Sequence, residues 1–258
     1  VAPVAVGRRS GAETARKVFQ LLLHFNRDRG AASVRELATA SGLPLPTAHR
    51  YVALLRELGL LEETGRSRYQ LGWRVLQLAR VAEEAGGLLQ LAEPVMRRLV
   101  AETDETAVLL RLAGEEMECV GQVESAHVMR LSFEPGQRLP LTRGASARIL
   151  LGGLARHERL ALLDALAAED PDFARRRPRF ERDIAEVERR GWAESREEID
   201  RGIWAVAAPV VDESRVAASL AVAGPLYRIE ADVQRRVPAL VTRAAAEVSR
   251  LLAARRVA

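Results

Sequence analysis

The apolar positions of the chain fall into two successive regimes. From Glu13, Val18, Leu21, Leu22 and Phe25 recur at helical spacing and predict a helix that Gly30 stops. Ser33 followed by Glu36 forms a capping box opening a short helix through Thr39, and Ser41–Pro44 (SGLP) is a tight turn. Pro46 suits the first turn of a third helix running to Leu58, with Val52, Leu55 and Leu58 as its buried face. Gly59 ends it. Two short extended runs, LLEE and RSRYQL, then join around Thr64–Gly65 as a hairpin. Helix, short helix, turn, helix and hairpin in this order make a winged helix-turn-helix, the hairpin being the wing.

Residues 72–87 read as a linker helix ending at Gly86–Gly87, and Leu88–Glu102 as a further helix. Beyond it the period shortens. Ala107–Ala113, Met117–Val123 and Val128–Phe133 are predicted strands, and Ile203–Val211 with Val216–Ala223 a strand pair turning at Asp212–Arg215. Gly144–Leu154, Glu158–Ala168 and Phe180–Arg190 are predicted helices, the basic, proline-containing Arg175–Arg179 a loop, and Ile229–Ala254 a last helix. The expected fold class is α+β. A loose arm (residues 1–11) precedes a winged helix-turn-helix (12–72), a linker helix (73–87) and an α/β domain with an antiparallel sheet (88–258).

Charge sharpens this division. Residues 1–75 carry 12 Lys/Arg against 6 Asp/Glu, whereas the remainder carries 27 against 29, so the formal net charge of +4 comes from the N-terminal third. A basic module beside a near-neutral body is the layout of a nucleic-acid binder. The second helix of a helix-turn-helix enters the major groove by its N-terminal residues. Here those include Pro46, Thr47, His49 and Arg50, with Arg66 and Arg68 on the wing placed for phosphates or an adjacent minor groove. Thr47 is read equally as a base or phosphate contact and as a helix cap.

Composition excludes other classes. Hydrophobic residues at 48% are too many for a disordered chain, and no apolar run approaches the ~20 residues of a membrane span. The N-terminal VAPVAVGRRS, with its arginines after the apolar stretch, does not read as a secretory leader, and a reducing cytoplasm is the expected location. Cys119 is the single cysteine and lies in an apolar strand pattern, so it reads as an inert buried thiol. His24, His49, His127 and His157 show no metal-ligand spacing. Ser125 and His127 share a strand face without a third partner, and no nucleophile elbow, phosphate loop or dinucleotide fingerprint is present. No metal or cofactor is expected. A hydrolase-type enzyme and an architectural DNA-binding module with a ligand-free oligomerisation domain are the alternative readings.

Three stretches carry a resemblance to the IclR family of bacterial transcriptional regulators: Leu43–Glu63 (LPLPTAHRYVALLRELGLLEE), Gly136–Leu154 (GQRLPLTRGASARILLGGL), and Arg190–Asp212 (RGWAESREEIDRGIWAVAAPVVD) with Ser219–Pro225 (SLAVAGP). The resemblance spans about Ala12 to Arg250. It implies operator DNA as partner, a GAF-like effector domain, a small-molecule effector, and a homodimer or dimer of dimers joined largely through the N-terminal modules. Carried over, it places effector contacts at Ala145, Ser146, Ser195, Ala205, Ala221 and Ala223, with Met129, Leu131 and Leu141 as apolar wall. Arg148, just after the loop-helix junction, is read either as a partner for an effector carboxylate or as a solvent-facing structural residue. Members that bind small keto acids present more hydroxyl, thiol or carboxylate groups at Ser195, Ala205, Ala221 and Ala223. Three of the four are alanine here. A buried polar group without its partner costs about 1–3 kcal/mol, so a larger or more apolar effector than glyoxylate or pyruvate is expected, an organic or aromatic acid or another relatively apolar metabolite.

Overall fold

A computed structural model of the chain describes residues 9–25, 29–84 and 87–257. The chain divides into two compact units, Val1–Ala85 and Gly86–Ala258.

The first unit orders α1 (Arg9–Leu22), β1 (Ala32–Ser33), α2 (Val34–Ser41), α3 (Leu45–Glu57), β2 (Leu61–Gly65), β3 (Arg68–Leu71) and α4 (Trp73–Glu84). Helix α1 opens at Arg9, inside the stretch read as an arm, and stops at Leu22, well before Gly30. The rest of that arm, residues 1–8, lies outside the described residues. The capping box is formed: Glu36 N–H donates to Ser33 Oγ, and Ser33 N–H donates to the Glu36 carboxylate. Gly42 ends α2 in the left-handed region at φ 62°, where a side chain is strained. Ala48, Val52 and Leu55 face the core with Leu21, Leu37 and Leu61. Leu58, read as part of that face, is the C-cap of α3 and 52% exposed, and Leu61 on β2 fills the core instead.

The wing turns later than expected. Arg66 (φ 52°) and Ser67 (φ 56°) are both left-handed and close the β2–β3 hairpin. Such a pair matches the right-handed twist of two flanking strands. Strand β1 adds to β3 through Ala32 opposite Tyr69, giving a three-stranded sheet in the order β1-β3-β2. At two residues, β1 is too short for its pattern to be read.

The second unit is built on one antiparallel sheet, ordered β6-β5-β4-β9-β8-β7. Its strands are β4 (Thr106–Ala113), β5 (Glu116–Val123), β6 (Arg138–Pro140), β7 (Ala193–Arg196), β8 (Ile203–Asp212) and β9 (Arg215–Pro225). Strand alternation sends side chains to opposite faces. Ala107, Leu109, Trp204, Val206, Leu220 and Val222 point to one face and pack under α5 (Leu88–Thr103) and α9 (Ala231–Val257). There Gly121 lets Leu89 settle on the sheet, since a Cβ at that position would lie 2.4 Å from Leu89 Cδ1. The other face meets α6 (Ala145–Gly152), α7 (Arg156–Glu169) and α8 (Pro171–Arg190).

Two expectations fail for identifiable reasons. Residues 128–133 form no strand because their backbone groups are taken by side chains. Leu131 C=O accepts from Thr106 Oγ1, Met129 C=O from Arg228, and Phe133 N–H donates to Gln122. The short β6 is the edge strand instead. Arg175–Arg179 is helical, not a loop, although Pro178 stands inside α8. Asp170 caps the helix ahead of it, accepting from Asp172 N–H and Phe173 N–H. Phe173 and Phe180 then bury on either side of the proline, in edge-to-face contact with ring centroids 5.5 Å apart. Arg177 holds Glu181 one turn on and reaches Asp164 of α7, and these two carboxylates keep its guanidinium above the usual arginine range.

Glu105, 3% exposed, takes a bidentate pair from Arg228 at 2.6 and 2.8 Å. Arg228 also donates to Met129 C=O, so one guanidinium ties the end of β9 to the α5–β4 corner and the 124–137 segment. Removing one partner of a buried pair strands the other charge. We expect Arg228→Ala to destabilise this unit by about 3–5 kcal/mol, measured as a fall in its urea midpoint. An unchanged midpoint would remove the pair from this role.

Candidate functional site

Helix α3 presents the first candidate surface. Ala48, Val52 and Leu55 face inward, leaving Pro46, His49 and Arg50 exposed and Thr47 half-buried on the outward side. The helix starts at Pro44 with no side-chain cap and no acidic residue in its first turn, so Thr47 is not a cap. Pro46 has no N–H and Thr47 N–H donates to Pro44 C=O, so this helix start offers a phosphate Leu45 N–H and the positive end of the dipole. Arg50 and Arg66 make no ion pair among the described residues. Arg68 differs: it donates to Ala31 C=O and pairs with Glu36 at 3.4 Å, fastening β3 to the start of α2. Arg68 nonetheless stays 45% exposed on the wing beside Arg66.

The second candidate is a cavity of about 310 Å³ in the α/β unit. Its floor follows from strand register. Ser195, Ala205, Ala223 and Thr106 lie opposite one another across β7, β8, β9 and β4, and so do Ala193, Ala207, Ala221 and Val108. Neighbouring strands are about 4.8 Å apart, so these rows make a shallow field of small side chains, of which Ser195, Ala205, Ala221, Ala223 and Val108 line the cavity while Ala193 and Ala207 lie in the core of the same face. The rim stands higher. Leu131, Phe133 and Leu139 rise on one side, Ile199 and Ile203 on another, and the start of α6 closes a third. Thr106, at the floor's edge, also accepts from Ser125 N–H while donating to Leu131 C=O, which fixes the rim to the floor. Gly144 permits the tight rim: it sits at φ 93°, and a Cβ there would lie 2.9 Å from Ile199 Cδ1.

Of the residues singled out from sequence, Leu131, Ala145, Ser146, Ser195, Ala205, Ala221 and Ala223 line this cavity. Two do not. Met129 is 70% exposed and contributes its carbonyl to Arg228, because the segment predicted as a strand loops outward there. Leu141 is buried in the core beneath α6. Val108, Leu110, Met117, Phe133, Gln137, Ile199 and Asp200 line the cavity and were missed. Strand alternation was the available signal for Val108 and Leu110; nothing local marks the others.

Arg148 is neither solvent-facing nor directed at the cavity. It is buried with Phe180, its Nη2 on Glu198 Oε1 at 2.5 Å and its Nη1 on Glu194 C=O. The other oxygen of Glu198 accepts from Gly144 N–H at 3.0 Å. Glu198 thus ties the residue that opens α6 to the Arg148 guanidinium.

Other chemistry is sparse. His127 contacts Asp104 at 2.8 Å, a partner invisible in sequence, but Ser125 Oγ is buried and makes no hydrogen bond. No group of His, Cys, Asp and Glu among the described residues is arranged to hold a metal. Burial pushes the Cys119 thiol up to about 11, with Glu118 adding to the shift. At pH 8 it therefore stays protonated. A thiol reagent should leave the native chain unlabelled and modify it promptly in urea, and prompt native labelling would contradict this placement.

A winged helix joined to an α/β unit with a small-residue cavity defines a ligand-responsive DNA-binding protein. Family models for the IclR helix-turn-helix domain and for the C-terminal domain of bacterial IclR transcriptional regulators match residues 14–65 and 82–250. The chain belongs to the IclR family of bacterial transcriptional regulators. It is similar to the transcriptional repressor IclR of Escherichia coli, 27% identical over 89% of this chain and 86% of that one. It is also similar to the regulator KipR of Bacillus subtilis, 28% identical over 90% and 93%. Two solved structures share the fold. An IclR homologue from Microbacterium hydrocarbonoxydans complexed with 4-hydroxybenzoate superposes with a TM-score of 0.80, at 23% identity over 93% of this chain and 99% of that one. The regulator from Alicyclobacillus acidocaldarius gives 0.76, at 24% identity over 96% and 100%. The chain is a regulator and not an enzyme, and no described helix is long and apolar enough to cross a membrane.

Proposed function

We propose that this chain is a cytoplasmic, homodimeric regulator that reads operator DNA with two winged helices and changes its hold on that DNA when a small, largely apolar effector enters the cavity. The observation that carries the reading is the pairing, in one chain, of an outward α3 face bearing Pro46, Thr47, His49 and Arg50 with a cavity floored by alanines. The DNA-binding domain is assigned to residues 12–72, the linker helix to 73–87, and the effector and oligomerisation domain to 88–258.

Helix α4 supports the dimer. Trp73, Leu76, Leu78 and Val81 are all more than half exposed, an apolar load that a solvated helix does not carry. A second copy of α4 is the partner that buries it, and two heads so joined read two half-sites of a pseudo-palindrome. A volume of about 310 Å³ lies at the lower end of the ~300–1,000 Å³ typical of ligand pockets. Together with the alanine floor, it favours an effector larger than glyoxylate or pyruvate. The 4-hydroxybenzoate held by the Microbacterium homologue supports an occupant of single-ring size. Control of DNA binding requires different effector affinities in the two arrangements of the heads, a coupling of typically 1–3 kcal/mol.

Two substitutions separate the two halves of this reading. Arg50→Ala is expected to weaken operator binding by about 1–3 kcal/mol in an anisotropy titration. Wild-type affinity would take Arg50 off the interface. Ala221→Leu fills the floor, and is expected to leave DNA affinity intact while abolishing the effector response. A retained response would move the effector elsewhere.

A further inference from the structure

We propose that the first unit holds a second DNA contact beside its wing: a groove between the segment leaving α1 and helix α2 that seats the sugar-phosphate backbone of one strand, with Arg35 on its phosphates; this rests on the reading of the unit as a DNA binder. The groove is open and encloses about 810 Å³. The described residues that line it include three arginines, Arg29, Arg35 and Arg68, and one carboxylate, Glu36. Glu36 is already engaged. Its Oε2 accepts from Ser33 N–H at 2.6 Å and lies 3.4 Å from Arg68 Nη1. The lining therefore carries a positive surplus. Arg35 is exposed, and its side chain makes no hydrogen bond or ion pair with a described residue.

The register of the small sheet places this groove on the edge that the wing presents. Ser33 stands opposite Arg68, and Arg68 directly follows the Arg66–Ser67 turn at the wing tip. Paired strands lie about 4.8 Å apart, so the residue that caps α2 is level with the wing tip and one strand away from it. Arg35 is two residues beyond Ser33, in the first turn of α2. A wing tip that reaches a duplex therefore brings Arg35 to the neighbouring backbone. Helix α2 gains nothing from a cation at this place, because the positive end of its dipole repels one. Glu36, the one carboxylate in the lining, is offset by Arg68, whose guanidinium also holds Ala31 C=O and so keeps β1 against β3. The contact adds affinity and fixes the placement of the domain, but it carries no sequence preference, since phosphates present none.

Non-specific binding isolates this contact, because it is almost wholly electrostatic. The probes are two unrelated, scrambled duplexes of about 20 base pairs, titrated by anisotropy with the intact chain between about 50 and 200 mM potassium chloride. Each phosphate neutralised contributes about 0.9 to the steepness with which log affinity falls against log salt. Arg35→Ala is expected to reduce that slope by about 1 for each engaged winged helix, equally on both duplexes, and Arg35→Lys to keep it. Arg74→Ala is the comparison. Arg74 is likewise exposed and belongs to the same unit, but it follows the end of β3 remote from the wing turn. Its loss is expected to leave the slope unchanged. An Arg35→Ala slope equal to that of the unaltered chain overturns the proposal, as does a slope lost in Arg35→Lys. An equal loss from Arg74→Ala also overturns it, because the effect is then one of total charge. An unaltered chain that binds neither duplex at any salt is a distinct result: it overturns the DNA-binding reading itself, and this contact with it.

Discussion

The α/β unit depends on one constraint of strand geometry: a side chain on one face of a sheet cannot help the other. Strands β4, β8 and β9 spend their bulk on the face beneath α5 and α9, where Trp204, Val206, Leu109, Leu220 and Val222 form a continuous core. At the register positions between them stand Ala205, Ala207, Ala221, Ala223 and Thr106. The packed face keeps the sheet rigid, and the thin face leaves space that the rim of larger side chains does not fill. The cavity is thus written into alternate positions of the same strands that stabilise the domain. A single bulky residue on the thin face closes it at little cost to the opposite core.

The walls of that space are held by charge. Glu105 and Arg228 clamp the segment that carries Leu131 and Phe133, while Glu198 and Arg148 clamp the loop that carries Ile199 and Asp200 against the start of α6. Both arginines are drawn out of solvent to do this. Buried pairs of this kind contribute little net stability but fix geometry strongly, because any rearrangement leaves a charge without its partner. Glu198 has a second consequence. It links the N-cap of α6, which edges the cavity, to a guanidinium lying against Phe180 of α8. Movement at the α6 end of the cavity therefore bears directly on the α6–α8 contact.

Much of this was legible in the sequence because the signals were local. The capping box at Ser33–Glu36, the turn before α3 and the alternation in β8 and β9 each report on a few neighbouring residues. The cavity's alanines were reached through the family resemblance, and register explains why they meet. What escaped the sequence depended on partners far along the chain. Residues 128–133 have the composition of a strand, yet Thr106, Gln122 and Arg228 claim their backbone groups. Pro178 reads as a break, but a cap eight residues earlier and two buried phenylalanines carry α8 through it. The contacts of the wing residue Arg68 with Glu36 and Ala31 C=O join positions more than thirty residues apart. Arg148 looks available to an acid until Glu198, fifty residues on, is found in contact with it.

The central claim is that this chain recognises particular DNA sequences through α3 and its wing. Its most direct test is selection of bound fragments from the source genome by the intact protein, followed by titration of the enriched fragments at two salt concentrations with excess non-specific competitor. The expected result is a shared, pseudo-palindromic site bound far above competitor, with affinity falling steeply as salt rises. Binding that enriches no fragment over competitor, with effector-sized ligands present or absent, would contradict it.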